Sequence, residues 1–148
     1  MTHSTSKIFL ILFSMVLIFS WVELGFADGV AVVVNPRNPI IKLTKREVSD
    51  MFLGRRHTFP DGNPVVVLER NPGSQLREKF FNLLNGMNLK LLNAYWARLQ
   101  FSGRVQPPVS ISNDHRLLEI ILQNEAAIGY MSASSVDDSV RVVLNLDK

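Results

Sequence analysis

Apolar residues occur in two patterns along this chain, as short continuous runs and as helically spaced positions. Val30–Val34 is a continuous and mostly β-branched run, which is typical of a strand covered on both faces. Residues 65–68, 127–131 and 140–144 form similar runs and predict three more strands. The turn-forming residues 60–63 (Pro-Asp-Gly-Asn) precede the second run and support this division.

Helices are predicted between the strands. Thr44 and Glu47 have the spacing of a capping box, at the start of a short helix that stops at Gly54. Ser74 can cap a second helix with an apolar side. Two more helices are predicted over residues 89–99 and 114–124. Strands that alternate with helices predict an α/β fold with a mixed or largely parallel sheet flanked by helices.

The first residues have the pattern of an export signal. Residues 8–22 carry no charge and follow Lys7, and Gly25 and Ala27 are the small residues of a cleavage site. A membrane anchor is the alternative, but a spanning helix needs about 20 apolar residues. We expect a signal peptide over residues 1–27, cleaved after Ala27, and a single folded domain over residues 28–148. This predicts a periplasmic or secreted protein.

Composition narrows the function classes. The chain has 148 residues, 47% of them hydrophobic and 20% charged, which fits a folded globular protein. Cysteine is absent, which excludes disulfides, thiolate metal sites, a cysteine nucleophile and a lipid-anchored cysteine. The net charge of +3 is only mildly basic, and the basic triplet 55–57 is interpreted as a solvated corner. We expect no nucleic-acid partner, no metal, no cofactor and no catalytic group of the nucleophilic or acid–base kinds.

The most informative residues are Arg70, Gly73, Ser74 and Arg77, at the junction of a predicted strand and a predicted helix. A helix N-terminus offers free N–H groups and a positive dipole end, so it can hold an anion. With Ser74 as N-cap, Arg77 falls at N3, where a cation is unfavourable unless an anion lies there. A structural interpretation stays open: Ser74 is only a cap, and Arg77 points to solvent or pairs with a nearby acid.

Several segments, in this order, resemble the phosphate-specific periplasmic substrate-binding component of ABC importers and its short, single-lobe relatives. The segments that carry the resemblance are 34–39, 43–55, 60–64, 70–80 and 126–130. The resemblance implies one lobe of a two-lobed α/β clamp of the type II periplasmic binding proteins, which are not enzymes. It also implies that the segment 70–77 binds phosphate or a similar oxyanion, and that the partner is a membrane transporter or another envelope protein.

The segment departs from the family pattern, Arg-x-x-Gly-Ser-Gly-Thr-Arg, at two positions. Gln75 replaces the glycine and Leu76 replaces the threonine, so one hydroxyl donor has no counterpart. These changes favour an alternative, an envelope interaction module that kept the fold and lost the ligand.

A second loop could also approach an anion. Ser102, Gly103 and Arg104 form a small-Gly-Arg loop, with a solvated surface loop as the alternative. Because one lobe leaves half of an anion's shell open to water, a second copy of the chain covering the face around Ser74 and Arg77 is a further hypothesis.

Overall fold

A computed structural model describes residues 29–103 and 105–147. The predicted signal peptide and Arg104 lie outside the described residues. The strands are β1 (Val30–Val34), β2 (Val66–Arg70), β3 (Val109–Ile111), β4 (Ala127–Ser132) and β5 (Arg141–Leu146). The α-helices are α1 (Lys45–Phe52), α2 (Gln75–Asn85), α3 (Leu89–Phe101) and α4 (Asp114–Gln123), and a 3₁₀ turn covers Ala133–Ser135. Within these ranges, no helix is long and apolar enough to cross a membrane.

The strands form one mixed sheet in the order β3-β2-β4-β1-β5. β2 pairs in parallel with β3 and β4, whereas β1 is antiparallel to β4 and β5. The carboxyl ends of β2, β3 and β4 therefore lie at the same end of the sheet. The prediction of a mixed sheet flanked by helices is confirmed.

β1 has hydrophobic clusters on both of its faces, which explains its continuous apolar sequence. Val32 packs in the cluster that contains Phe52 and Phe80, on the side of α1, α2 and α3. Val33 packs in the cluster that contains Leu117, on the side of α4. Because side chains alternate along a strand, a strand covered on both faces has no polar positions to interrupt the run.

The predicted cap of α1 is confirmed in both of its halves. The N–H of Glu47 donates to Oγ1 of Thr44 at 3.2 Å, and the N–H of Thr44 donates to Oε2 of Glu47 at 2.8 Å. Gly54 follows the helix with a φ of +67°, a left-handed conformation that favours glycine.

The sheet differs from the sequence prediction by one additional strand, β3, and by the bounds of β2, β4 and β5. β4 ends one residue later than predicted, and β5 begins one residue later and ends two residues later. β3 was not predicted, because this edge strand has only three residues, too few to show an alternation of apolar and polar side chains. β2 begins one residue later than predicted and ends two residues later, so it includes Glu69 and Arg70. Two charged residues directly after an apolar run predict that the strand has ended. Here the strand continues, because both of these charged residues are buried.

Candidate functional site

The carboxyl end of β2 carries two buried charged residues, Glu69 and Arg70, each about 5% exposed. Successive side chains of a strand point to opposite faces of the sheet. Glu69 therefore contacts Arg77 on the side of α2, and Arg70 contacts Asp114, the first residue of α4. Buried charges of this kind are costly unless they are paired.

Glu69 is held by three neighbours. Its Oε1 accepts hydrogen bonds from the Tyr130 hydroxyl and from the N–H of Arg70, the latter at 2.8 Å. Its Oε2 lies 3.6 Å from Nε of Arg77. Burial raises the pKa of Glu69 more than these partners lower it. Burial and the charge of Glu69 also raise the pKa of Tyr130, so the hydroxyl stays protonated and donates.

Arg77 occupies N3 of α2, as predicted, because the Ser74 side chain caps the helix. The N–H of Arg77 makes a long contact of 3.4 Å to Oγ of Ser74. The guanidinium turns inward, donating from Nη1 to Oδ1 of Asn93 at 3.2 Å, and lies 5.9 Å from the centre of the Phe81 ring. Of the arrangements that the sequence left open, pairing with a nearby acid is the one observed, because Glu69 faces this helix.

Arg70 joins three elements. Its Nη2 donates to Oδ1 of Asp114 and, at 3.0 Å, to the carbonyl of Tyr130. The paired register of β2 and β4 ends at Val67 and Ile128, so the guanidinium supplies a donor to β4 just beyond the ladder. Each arginine of the site thus has a carboxylate partner, and the formal charges of these four side chains cancel.

A cavity of about 300 Å³ opens beside this cluster. Its apolar lining consists of Pro72, Trp96, Ala97, Pro107 and Pro108. Its polar lining consists of Glu69, Arg70, Arg77, Asn93, Gln100 and Ser110. Gly73 and Ser74 lie in the turn between Pro72 and Arg77 and are not part of the lining. Gly73 has a φ of +86° and open space where a Cβ would lie, so its conformation rather than a close approach requires glycine.

The second predicted loop lies next to this cavity and not in it. Gly103 lines a neighbouring depression that shares Gln100 and Pro107 with the cavity. The Ser102 hydroxyl donates to the carbonyl of Leu99 at 2.7 Å and so caps the end of α3. Arg104 lies outside the described residues.

Sequence reasoning identified Arg70 and Arg77 of this cluster but not the residues around them. Glu69 gave one usable signal, a carboxylate directly after a buried run and directly before Arg70. Asn93, Trp96, Asp114 and Tyr130 gave none, because only the packing of α3, α4 and β4 brings them to the end of β2. Among the described residues, no group of three or more histidines or acidic residues could hold a metal.

No protein-family model matches the chain, and a search of curated proteins finds no match. Solved structures do match it. A phosphate ABC transporter substrate-binding protein from Clostridium perfringens, solved with bound phosphate, has a TM-score of 0.62 and 27% identity over 78% of this chain and 44% of that chain. An ABC-type phosphate transport receptor from Vibrio cholerae has a TM-score of 0.61 and 22% identity over 78% of this chain and 45% of that one.

A third structure, PstS from Borrelia burgdorferi, has a TM-score of 0.55 and 13% identity over 78% of this chain and 46% of that one. The chain therefore spans less than half the length of each of these structures. Their likeness confirms the periplasmic-binding-protein-like fold. These neighbours are substrate-binding proteins of transport systems and not enzymes.

Proposed function

We propose that this protein is a non-enzymatic binding module for phosphate or a similar oxyanion. The observation that carries the proposal is the position of Arg77, a buried cation at N3 of α2 that also lines the cavity. A second cation, Arg70, lines the same cavity. The likeness to a structure solved with bound phosphate supports the same ligand class.

Besides these two cations, backbone N–H groups at the start of α2 are available as hydrogen-bond donors to an anion. By helix geometry the N–H groups of Gln75 and Leu76 have no acceptor within the helix. The positive end of the helix dipole favours an anion there. An anion at this site competes with Glu69 for Arg77, and the 3.6 Å distance between the two side chains is longer than a hydrogen bond. The distance between Arg77 and Glu69 can therefore increase further when an anion binds to Arg77.

We infer that the protein works outside the cytoplasm, on the pattern of residues 1–27. A membrane transporter of the ABC class is the partner that the solved neighbours suggest. The residues proposed to bind the ligand are Arg70, Gly73, Ser74 and Arg77. Ser102, Gly103 and Arg104 stay a second candidate loop.

An interaction module that lost its ligand is the second candidate, and two observations favour it. Both arginines already have carboxylate partners. Phe101, at the end of α3, is 95% exposed, and Val109 on the edge strand is 55% exposed. Exposed apolar side chains close to a cavity are suited to contact with another protein, either a second copy or an envelope protein.

Calorimetric titration of the full chain with phosphate, and with sulfate for comparison, tests the first candidate. Variants are compared in the Glu69→Gln background, because there the loss of Arg77 leaves no buried carboxylate unpaired. We expect Glu69→Gln to strengthen phosphate binding, since a neutral amide competes for the guanidinium less strongly than a carboxylate does. Adding Arg77→Ala is expected to weaken phosphate binding about tenfold to a hundredfold, the loss of one charge-assisted contact of about 1.5–3 kcal/mol.

Arg37→Ala in the same background is the matched control. Arg37 is an exposed arginine, paired with Glu125 at 3.0 Å. Glu125 lies two residues before the start of β4, so this pair lies at the end of the sheet opposite to the cavity. Equal phosphate affinity with and without Arg77 contradicts the assignment of that residue. No phosphate or sulfate binding by any of these proteins contradicts the oxyanion function and leaves the interaction module.

A further inference from the structure

The cavity is lined by both charged and apolar side chains, and this mixture bears on the ligand. Arg77 and Asn93 lie next to Glu69 in this lining. The rings of Pro72, Pro107 and Pro108 form much of the rest of the lining. A bare tetrahedral ion can bind only to the charged and polar groups, and it would leave the proline rings facing water. The volume of about 300 Å³ is at the lower end of the range of about 300–1,000 Å³ found for pockets that hold organic ligands.

Trp96 provides an independent indication of a ligand. The side chain is only 6% exposed and lines the cavity. Its Nε1 is buried and meets no hydrogen-bond acceptor in the ranges that the structure describes. Buried indole N–H groups almost always have a partner. Nε1 itself has almost no accessible surface, so an acceptor atom of a ligand satisfies this donor only when a neighbouring side chain of the lining moves aside.

Packing fixes the position of this indole. The six-membered ring lies against Gly54, where an added Cβ would be 3.2 Å from Cη2 of Trp96. Nε1 belongs to the five-membered ring, which is farther from this contact. A rigid ring with a fixed donor can distinguish ligands by shape as well as by charge.

We propose that the ligand is a small organic phosphate or phosphonate, with its oxyanion near Arg77 and its organic substituent against the proline rings and Trp96. Nε1 of Trp96 donates to an oxygen of this ligand. The inference rests on the proposed oxyanion function and adds the substrate class and one specificity-determining residue. The substituent stabilises the complex because binding removes its apolar surface, and that of the prolines, from water.

The proposed ligand class is tested by titration with two anions that share the phosphate group, inorganic phosphate and phenyl phosphate. The full chain carries Trp21→Phe, so that Trp96 is the only tryptophan and its fluorescence reports on the cavity. We expect phenyl phosphate to bind about tenfold tighter than inorganic phosphate, because its ring is buried. We also expect phenyl phosphate to change the emission of Trp96.

Trp96→Phe keeps an aromatic ring and removes the indole N–H. We expect it to weaken phenyl phosphate binding, measured by calorimetry, about tenfold or more. Tyr95→Phe is the matched control, since the Tyr95 hydroxyl donates to the carbonyl of Leu53 at 2.7 Å and Tyr95 does not line this cavity. A folded Trp96→Phe protein, checked by its circular dichroism and its melting temperature, makes the comparison valid.

The outcomes separate this inference from the function on which it rests. If inorganic phosphate binds as tightly as phenyl phosphate, the organic class is wrong and the oxyanion function stands. If Trp96→Phe binds phenyl phosphate like the parent, the donor role of Trp96 is overturned. If neither anion binds, the oxyanion function fails and the inference fails with it.

Discussion

Glu69 determines the electrostatics of the site at the scale of single residues. Two hydrogen bonds and one ion pair favour its charged form, yet its burial outweighs them and raises its pKa. A carboxyl group whose pKa is higher in the folded than in the unfolded state makes the protein less stable as the pH rises. This holds from the unfolded pKa, near 4.5, up to the folded pKa.

Glu69→Gln is expected to remove this dependence on pH. The amide keeps an acceptor for the Tyr130 hydroxyl and carries no charge to bury. The free energy of unfolding of the parent should therefore fall relative to the variant as the pH rises above about 4.5. Urea denaturation of both proteins at several pH values between 4 and 8 measures this difference.

Glu47→Gln is the matched control, with the opposite sign. Hydrogen bonds from Thr44 lower the pKa of Glu47 in the exposed capping box of α1. The parent should therefore lose stability relative to this variant as the pH falls below about 4.5. A parallel pH dependence for both variants would contradict the role assigned to burial of Glu69.

At the scale of the secondary-structure elements, the positions of the helices and strands bring the charged groups together. Asp114 reaches Arg70 because α4 begins beside the carboxyl ends of β2 and β4, with Asn113 as its N-cap. The packing of α4 on β4 depends on Gly129, where an added Cβ would lie 2.4 Å from Cδ1 of Leu117. The absence of a side chain at Gly129, within a buried strand, therefore allows this helix to pack close to the site.

Gly129→Ala is expected to lower the free energy of unfolding by about 1–3 kcal/mol, because Leu117 is buried and has little room to move. Urea denaturation measures the loss. In the Leu117→Ala background the same change should cost much less, since the shortened side chain leaves room for the new methyl group. If the two losses simply add, this contact does not control the packing of α4.

At the scale of the whole molecule, β1 begins at the third residue after the predicted cleavage site. Gly29 lies against Asp147, and Val30 pairs with Ser132 and Leu146 in the sheet. Cleavage after Ala27 would therefore leave β1 and the sheet intact. The export signal itself lies outside the described residues and stays a prediction.

Expression of the full chain in a bacterial host with mass spectrometry of the envelope fraction tests export. We expect a free protein that begins at Asp28, and we expect Ala27→Arg to block cleavage because a signal peptidase needs a small residue there. Ala31→Ser, four residues further on, is the control that leaves the site unchanged. An intact N-terminus in the membrane fraction of the parent would show that residues 8–22 act as an anchor.

The sequence by itself determined the features that depend on neighbouring residues. The caps at Thr44 and Ser74, the N3 position of Arg77 and the apolar strand β1 follow from local hydrogen bonding and from the alternation of side chains. The α/β class follows from the order of these elements. Each of these predictions is confirmed, because a helix cap or a strand pattern needs only a few consecutive residues.

Only the tertiary structure decided which charges meet. Glu69 and Tyr130 are separated by 61 positions along the chain, and Arg70 and Asp114 by 44. Whether Arg77 faces solvent, an anion or an acid depends on which strand lies beneath α2, and no local pattern contains that information. The cavity likewise forms only where Trp96 of α3 and the prolines before β3 come together at the end of β2. Side-chain pairing between distant elements is set by sheet order and helix packing, and for that reason the three-dimensional structure was needed to define this site.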